Sequence, residues 1–244
     1  MNLSLATMTP GEPEIFASVQ GEGPTAGAPC TFLRLSRCNL ACVWCDTAYT
    51  WHFDGDARTH RDNMTYDRAA NRIALPVGDV ARRIDALGQD RLVITGGEPL
   101  LQGAALAQLL DILPPLTVEV ETNGTTAAPP ALDAHVNHYN VSPKLAHSGN
   151  DAALALLPER LRAYAADPRA VFKFVVATPA DVTKVVALAE AHALPAARIM
   201  LMGEGTNSTT LRARQEWLVP LCLEQGFAMS DRLHIHLFGD TRGT

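Results

Sequence analysis

Apolar strand-like runs alternating with helical patterns predict an α/β fold on a parallel sheet with right-handed crossovers. About six such units are legible, fewer than the eight of a full barrel, so the expected form is a partial (β/α)6 barrel of parallel strands. A third observation agrees. The chemically unusual residues fall at the C-terminal ends of the predicted strands, where folds of this type keep their sites.

The elements follow in order. A polar N-terminal stretch precedes "TFLRLS" (31–36), a strand that stops just before the first of three clustered cysteines. Residues 52–75 are polar and irregular and read as an excursion over the site. A helical pattern over 79–87 leads to the strand "RLVIT" (91–95), followed by Gly96, Gly97 and Glu98, and then to a helix over 99–112. The strands "LTVEVE" (116–121) and "HYNVS" (138–142) end in "ETNG" and "SPK". A helix over 152–166 precedes "VFKFVV" (171–176), apolar enough for a sheet covered on both faces. In the helix over 180–193, Val182, Val185, Val186 and Ala189 share one face. "RIMLM" (198–202), a helix over 208–225 and a last strand "LHIHLF" (233–238) complete the pattern. Alternation puts His234 and His236 on the same side of that strand. No repeat or long linker divides the chain, so residues 1–244 are expected to form one catalytic domain.

Composition narrows the function. Net charge is −6 and no stretch concentrates Lys and Arg, which argues against a broad nucleic-acid surface. No run is long and apolar enough to span a bilayer. The start, "MNLSLATMTPGEPE", lacks the basic head and apolar run of a secretory signal. The expectation is a cytoplasmic chain with reduced thiols, whose clustered cysteines are metal ligands or catalytic groups.

Cys38, Cys42 and Cys45 form C-x3-C-x2-C within "CNLACVWCDTAYTW" (38–51). Soft thiolates in one short loop select zinc, copper(I) or an iron–sulfur cluster. Buried structural thiols are one reading. Structural zinc with a fourth ligand from His52 or His60 is another. A [4Fe–4S] cluster is the third: three cysteines leave one iron open to chelate a substrate or cofactor. Cys30 and Cys222 fit no motif and read as ordinary thiols.

The cysteine loop, with the aromatic Trp44 before its last cysteine and "GGE" after the second strand, resembles the radical S-adenosylmethionine (SAM) superfamily. Residues 16–51, "VITGGEP" (93–99), "ETNGT" (121–125), "VSPK" (141–144) and the ending "RLHIHLFGDTRG" are similar to the 7-carboxy-7-deazaguanine synthase family. The resemblance touches most of the sheet but leaves 52–75 and the helices uninformed.

It implies a lyase of deazapurine (queuosine-type) biosynthesis. Its substrate would be 6-carboxy-5,6,7,8-tetrahydropterin and its products 7-carboxy-7-deazaguanine and ammonia. The implied cofactors are a [4Fe–4S] cluster on Cys38, Cys42 and Cys45, SAM as a coenzyme, and Mg²⁺ on Thr47. SAM would lie against Trp44, Cys45, Asp46, Gly97, Glu98, Ser142, Pro143 and Lys144. Met202, Gly203, Glu204 and Gly205 would close over its adenosine part. The pterin would rest on Val19, Gln20, Gly21 and Thr95, with Arg34 gripping its carboxylate. The family also implies a flavodoxin- or ferredoxin-type reductant, a homodimer, and no nucleic-acid or membrane partner. The rival readings are another radical SAM enzyme, such as a glycyl-radical activase, and a non-enzymatic zinc or iron–sulfur module.

Overall fold

The protein is described by a computed structural model covering residues 1–244. Its strands are β1 (Asn2–Thr9), β2 (Glu12–Pro13), β3 (Ile15–Val19), β4 (Pro29–Leu35), β5 (Arg72–Pro76), β6 (Arg91–Gly96), β7 (Thr117–Thr122), β8 (Val136–Val141), β9 (Ala170–Val176), β10 (Ile199–Gly203) and β11 (Ala228–Ser230). Its helices are α1 (Arg68–Asn71), α2 (Val77–Leu87), α3 (Gly103–Ile112), α4 (Pro130–Asp133), α5 (Ala152–Ala155), α6 (Pro158–Ala166), α7 (Pro179–His192), α8 (Ser208–Gln225) and α9 (Leu233–Phe238).

The strands β4, β6, β7, β8, β9, β10 and β11 pair in that order, every neighbouring pair parallel. The partial-barrel expectation therefore holds, with the six predicted inner strands in their predicted places. Strands in such a sheet are covered on both sides. One face of β4–β10 sends Leu33, Leu92, Ile94, Val118, Val120, Tyr139, Phe172, Phe174 and Leu201 into a core of 37 buried apolar residues beneath the helices. The other face is polar. Arg34, Thr95, Glu121, Asn140 and Lys173 all point into one cavity.

Four expectations are corrected. The N-terminal stretch, read from the sequence only as polar, forms β1, β2 and β3. Leu3, Leu5 and Ala6 are fully buried in β1, which pairs antiparallel with β5. The excursion 52–75 is only partly irregular, because its end forms α1 and begins β5. Its start is anchored by buried His52, Phe53 and His60. The segment 233–238 is helix α9 rather than a strand. The short β11 already occupies the sheet edge. Arg232 is pulled toward the cavity by Glu22, and Leu233 N donates to Gly21 O at 2.8 Å, so the chain turns inward with no strand to pair with. His234 and His236 consequently diverge. His234 lines the cavity, while His236 meets Ser208 Oγ at 3.0 Å. The predicted helix over 152–166 is two short pieces, since Leu157 before Pro158 is held extended. No helix is long and apolar enough to cross a membrane.

Candidate active site

A cavity of about 380 Å³ opens at the C-terminal ends of the parallel strands. Cys38, Cys42 and Cys45 all line it, on the loop that leaves β4. The loop is pinned from several sides. Arg37 N donates to Thr50 O at 2.7 Å, Val43 N to Ser148 O at 2.9 Å, and His60 Nε2 lies 2.8 Å from Cys45 O. Gly96 and Gly97 let the neighbouring turn press against it. A Cβ on Gly97 would sit 2.1 Å from Arg37 O, and one on Gly96 2.1 Å from Leu35 O.

Each sulfur has its own polar neighbour. Asn150 Nδ2 donates to Cys42 Sγ at 3.3 Å and Asn123 Nδ2 to Cys38 Sγ at 3.9 Å, while Thr47 Oγ1 lies 3.6 Å from Cys45 Sγ. Donors aimed at sulfur suit thiolate ligands of an iron–sulfur cluster. Without a metal, burial pushes the Cys38 thiol up to about 12 and Cys45 to about 11, so ligation must supply the stabilisation of the thiolates. The single-ion reading fares worse. His60, offered as a fourth zinc ligand, instead braces the Cys45 carbonyl. Cys30 and Cys222 are buried away from the loop, Cys30 among Phe16, Phe32 and Val93.

The residues expected around SAM divide into two groups. Trp44, Asp46, Gly97, Ser142, Lys144, Met202, Gly203, Glu204 and Gly205 all reach the cavity. Trp44 stacks on His147 with centroids 5.6 Å apart, and its buried Nε1 has no partner. Lys144 Nζ donates to Ser142 Oγ at 2.7 Å. Glu98 and Pro143 do not line the cavity. Glu98 is fully buried; its Oε1 accepts from Leu100 N at 3.0 Å and Thr122 Oγ1 at 2.9 Å, and Oε2 from Asn123 N at 2.8 Å. Its carboxylate caps the turn after β6 and props up Asn123, which is a supporting task beneath the site rather than a side-chain contact within it.

The expected pterin residues also meet there. Val19, Gln20, Gly21, Arg34 and Thr95 line the same cavity. Gln20 Nε2 donates to Glu119 at 2.8 Å, and Thr95 Oγ1 to Glu121 at 2.8 Å. Gly21 has to be glycine, since a Cβ would lie 2.1 Å from His234 Nδ1. Arg34 Nε donates to Glu14 Oε1 at 2.7 Å, leaving its terminal nitrogens to the cavity.

Sequence reasoning missed the charge network on the far wall. Glu22 sits between Lys173 Nζ at 2.5 Å and Arg232 Nε at 2.9 Å, and Arg232 also bonds Asp46. Burial would raise the Glu22 carboxyl, but Lys173 and Arg232 overcome it and hold it well below the usual carboxylate range. For Asp46 the same contest is won by Arg232. A signal was present. Glu119 and Glu121 alternate within "TVEVET" and Lys173 interrupts "VFKFVV", charges that a buried strand admits only with partners.

Residues 33–215 match the Radical SAM superfamily model. The chain is 36% identical over 234 residues to the 7-carboxy-7-deazaguanine synthase of Pyrobaculum aerophilum, covering 94% of this chain and 95% of that one. It is 35% identical over 256 residues to that of Halobacterium salinarum, covering 95% and 91%. The crystal structure of QueE from Escherichia coli superposes with a TM-score of 0.64 at 23% identity over 95% of both chains, which bears on the fold. By family model, by relatives and by the thiol-lined mouth of its barrel, the chain belongs to the radical SAM superfamily and, within it, to the 7-carboxy-7-deazaguanine synthase family.

Proposed function

We propose that this cavity converts 6-carboxy-5,6,7,8-tetrahydropterin to 7-carboxy-7-deazaguanine and ammonia, the whole chain acting as one catalytic domain. The observation that carries the reading is the meeting of three thiols, a glycine turn and a polar barrel face in a single cavity. A protein that only stored a cluster would have no use for the polar face. A glycyl-radical activase would need room for a protein segment rather than converging carboxylates and cations.

Cys38, Cys42 and Cys45 would hold the [4Fe–4S] cluster, with Asn150, Asn123 and Thr47 supplying polar neighbours to the sulfurs. Gly97, Ser142, Lys144 and residues 202–205 would hold SAM, with Trp44 against its adenosine part. When bound, the two supply one-electron chemistry that takes a hydrogen atom from the substrate carbon bearing the carboxylate.

The chain's own groups position and charge-match. Arg34, fixed by Glu14, offers its terminal nitrogens to the substrate carboxylate. Thr95 and Gln20 orient Glu121, and Gly21 lets His234 close against the backbone at the cavity wall. Asp46 is committed to Arg232, and its neighbour Thr47, which lines the cavity, would be the protein ligand of Mg²⁺, as the resemblance implies. Mg²⁺ needs few protein ligands when a substrate carboxylate completes its shell. There it would neutralise the carboxylate. The electron donor of flavodoxin or ferredoxin type, the homodimer and the cytoplasmic location carry over from the resemblance alone.

The test is to incubate reduced, cluster-loaded protein with SAM and the carboxypterin and to assay for the deazapurine and ammonia. Loss of substrate without deazapurine sinks the reading.

A further inference from the structure

Lys173 is a buried cation to which the expected site gives no task. It lies on β9 at 4% exposure and lines the cavity. Its Nζ donates one hydrogen bond, to Glu22 Oε2 at 2.5 Å. Glu121 Oε1, at 3.8 Å, is a charge partner beyond hydrogen-bonding range. An ammonium carries three donors. Leaving donors of a buried charge unmet is costly, so the remaining ones are set for an acceptor that arrives with a ligand. Burial would drive this ammonium toward neutrality, but Glu22 and then Glu121 prevail, and it stays a permanent donor.

Its place in the barrel says which acceptor. Arg34 is on β4 and Lys173 on β9, with β6, β7 and β8 between them. Each strand step is about 4.8 Å along the curved wall, so the two cations stand on well-separated flanks of one cavity. The carboxypterin is also two-ended. Its carboxylate is on one ring, and a 2-amino-4-oxo edge is on the other. That edge presents one oxygen acceptor beside N–H donors. The flank around Lys173 presents the complement: one ammonium beside the carboxylates of Glu22 and Glu121.

We infer that Lys173 is the residue that selects a 4-oxo pterin, donating to the ring oxygen while Glu22 and Glu121 accept from the N–H groups of the same edge. The inference rests on the function proposed above and deepens it. A 4-amino ring would bring N–H donors against the ammonium and be rejected.

The test is calorimetric titration of the SAM-bound holoenzyme without reductant, so that nothing turns over. The two ligands are 6-carboxy-5,6,7,8-tetrahydropterin and its 2,4-diamino counterpart. Wild type should prefer the oxo ligand. Lys173→Met should weaken oxo binding about 10- to 100-fold, the scale of a charged hydrogen bond, and weaken diamino binding much less, so that the preference collapses. Equal affinities in variant and wild type, or equal losses for both ligands, overturn the inference. If Lys173→Met does not retain its cluster, Lys173→Gln keeps a polar group beside Glu22 without the fixed ammonium, and the same ratio is read from it. Wild-type turnover is assayed in parallel. Turnover with an unchanged ratio in the variant overturns this inference alone, whereas a wild type that makes no deazapurine overturns the functional reading and this inference with it.

Discussion

Arg34 Nε donates to Glu14 Oε1 at 2.7 Å, and Tyr49 gives its hydroxyl to the same fully buried carboxylate at 2.9 Å. Burial disfavours the Arg34 cation, but Glu14 outweighs it and keeps it charged. The arrangement turns a flexible side chain into a fixed fork whose free nitrogens face the cavity. Arg242 lies over the Tyr49 ring at 3.5 Å, so the C-terminal segment helps to seat the same group.

Glu14→Ala should therefore hurt twice. It leaves a largely buried guanidinium unpaired, at a cost of about 3 kcal/mol, and frees the fork to swing. Glu14→Gln keeps the shape and should fall between the alanine variant and wild type. Denaturant midpoints of the cofactor-free protein measure the first effect, and apparent KM for the carboxypterin the second. Unchanged KM in Glu14→Ala would show that Arg34 does not meet the carboxylate.

The five cysteines should separate cleanly. Cys38→Ala, Cys42→Ala and Cys45→Ala should each lose the four-iron cluster, because the two remaining cysteines are buried in apolar packing away from the loop and cannot replace a lost ligand. Cys30→Ala and Cys222→Ala should keep iron and sulfide, since both thiols lie in apolar packing. Each should cost roughly 1 kcal/mol of stability for the small cavity left. Iron and sulfide analysis after anaerobic reconstitution decides it. A cluster lost as fully in Cys222→Ala as in Cys42→Ala contradicts the three-cysteine assignment.

Asn150 offers a finer probe. Its Nδ2 donates to Cys42 Sγ at 3.3 Å while its Oδ1 accepts from Ala41 N at 2.9 Å. A hydrogen bond to a ligand sulfur stabilises the more negative, reduced cluster and raises its potential. Asn150→Asp keeps the acceptor for Ala41, loses the donor and adds negative charge. Its potential should fall by at least the worth of one hydrogen bond, about 1 kcal/mol or roughly 40 mV for one electron. A redox titration followed by electron paramagnetic resonance reads this directly, with iron content as the control. A potential that stays put or rises removes Asn150 from the cluster's electrostatics.

How far the sequence carried depends on the range of each signal. The inner strands were legible because buried parallel strands are short, apolar and closed by unusual residues, as "RLVIT" before Gly96 shows. The cysteine loop was legible because its ligand spacing is local. β1 was not, because Leu3 and Leu5 alternate with polar Asn2 and Ser4 only over a few residues, and the pattern gains meaning only against β5, about seventy residues away. "LHIHLF" misled because strand periodicity without a partner strand decides nothing, and Arg232 turned that segment into the cavity. The Glu22–Lys173–Arg232 network joins residues up to 210 positions apart. No spacing rule reaches that far. Glu98 shows what a motif does not specify: its carboxylate hydrogen-bonds the backbone around it.

Thr47 is the remaining residue to which the proposed function gives a bound ion. It follows the cluster loop, lines the cavity and has its hydroxyl 3.6 Å from Cys45 Sγ. Its neighbour Asp46 would be the stronger cation ligand, but Arg232 holds that carboxylate and keeps it ionised below its ordinary range. A cation at Thr47 thus finds one uncharged protein oxygen, too little to bind tightly alone. With the substrate carboxylate present the ion gains a charged partner, so Mg²⁺ and carboxypterin should bind cooperatively, each strengthening the other by the same factor. Arg34 shares the carboxylate, which limits the energy at stake to about 1–3 kcal/mol, the scale of a buried polar group left unmet. Thr47→Ala should keep the cluster spectrum and SAM affinity, raise KM for the carboxypterin and flatten the dependence of turnover on Mg²⁺. Thr47→Ser keeps the hydroxyl and should retain most of the response. The measurement is turnover against Mg²⁺ concentration for the three proteins. Parallel curves that rise equally in all three would make Thr47 a turn residue and move any Mg²⁺ to other ligands.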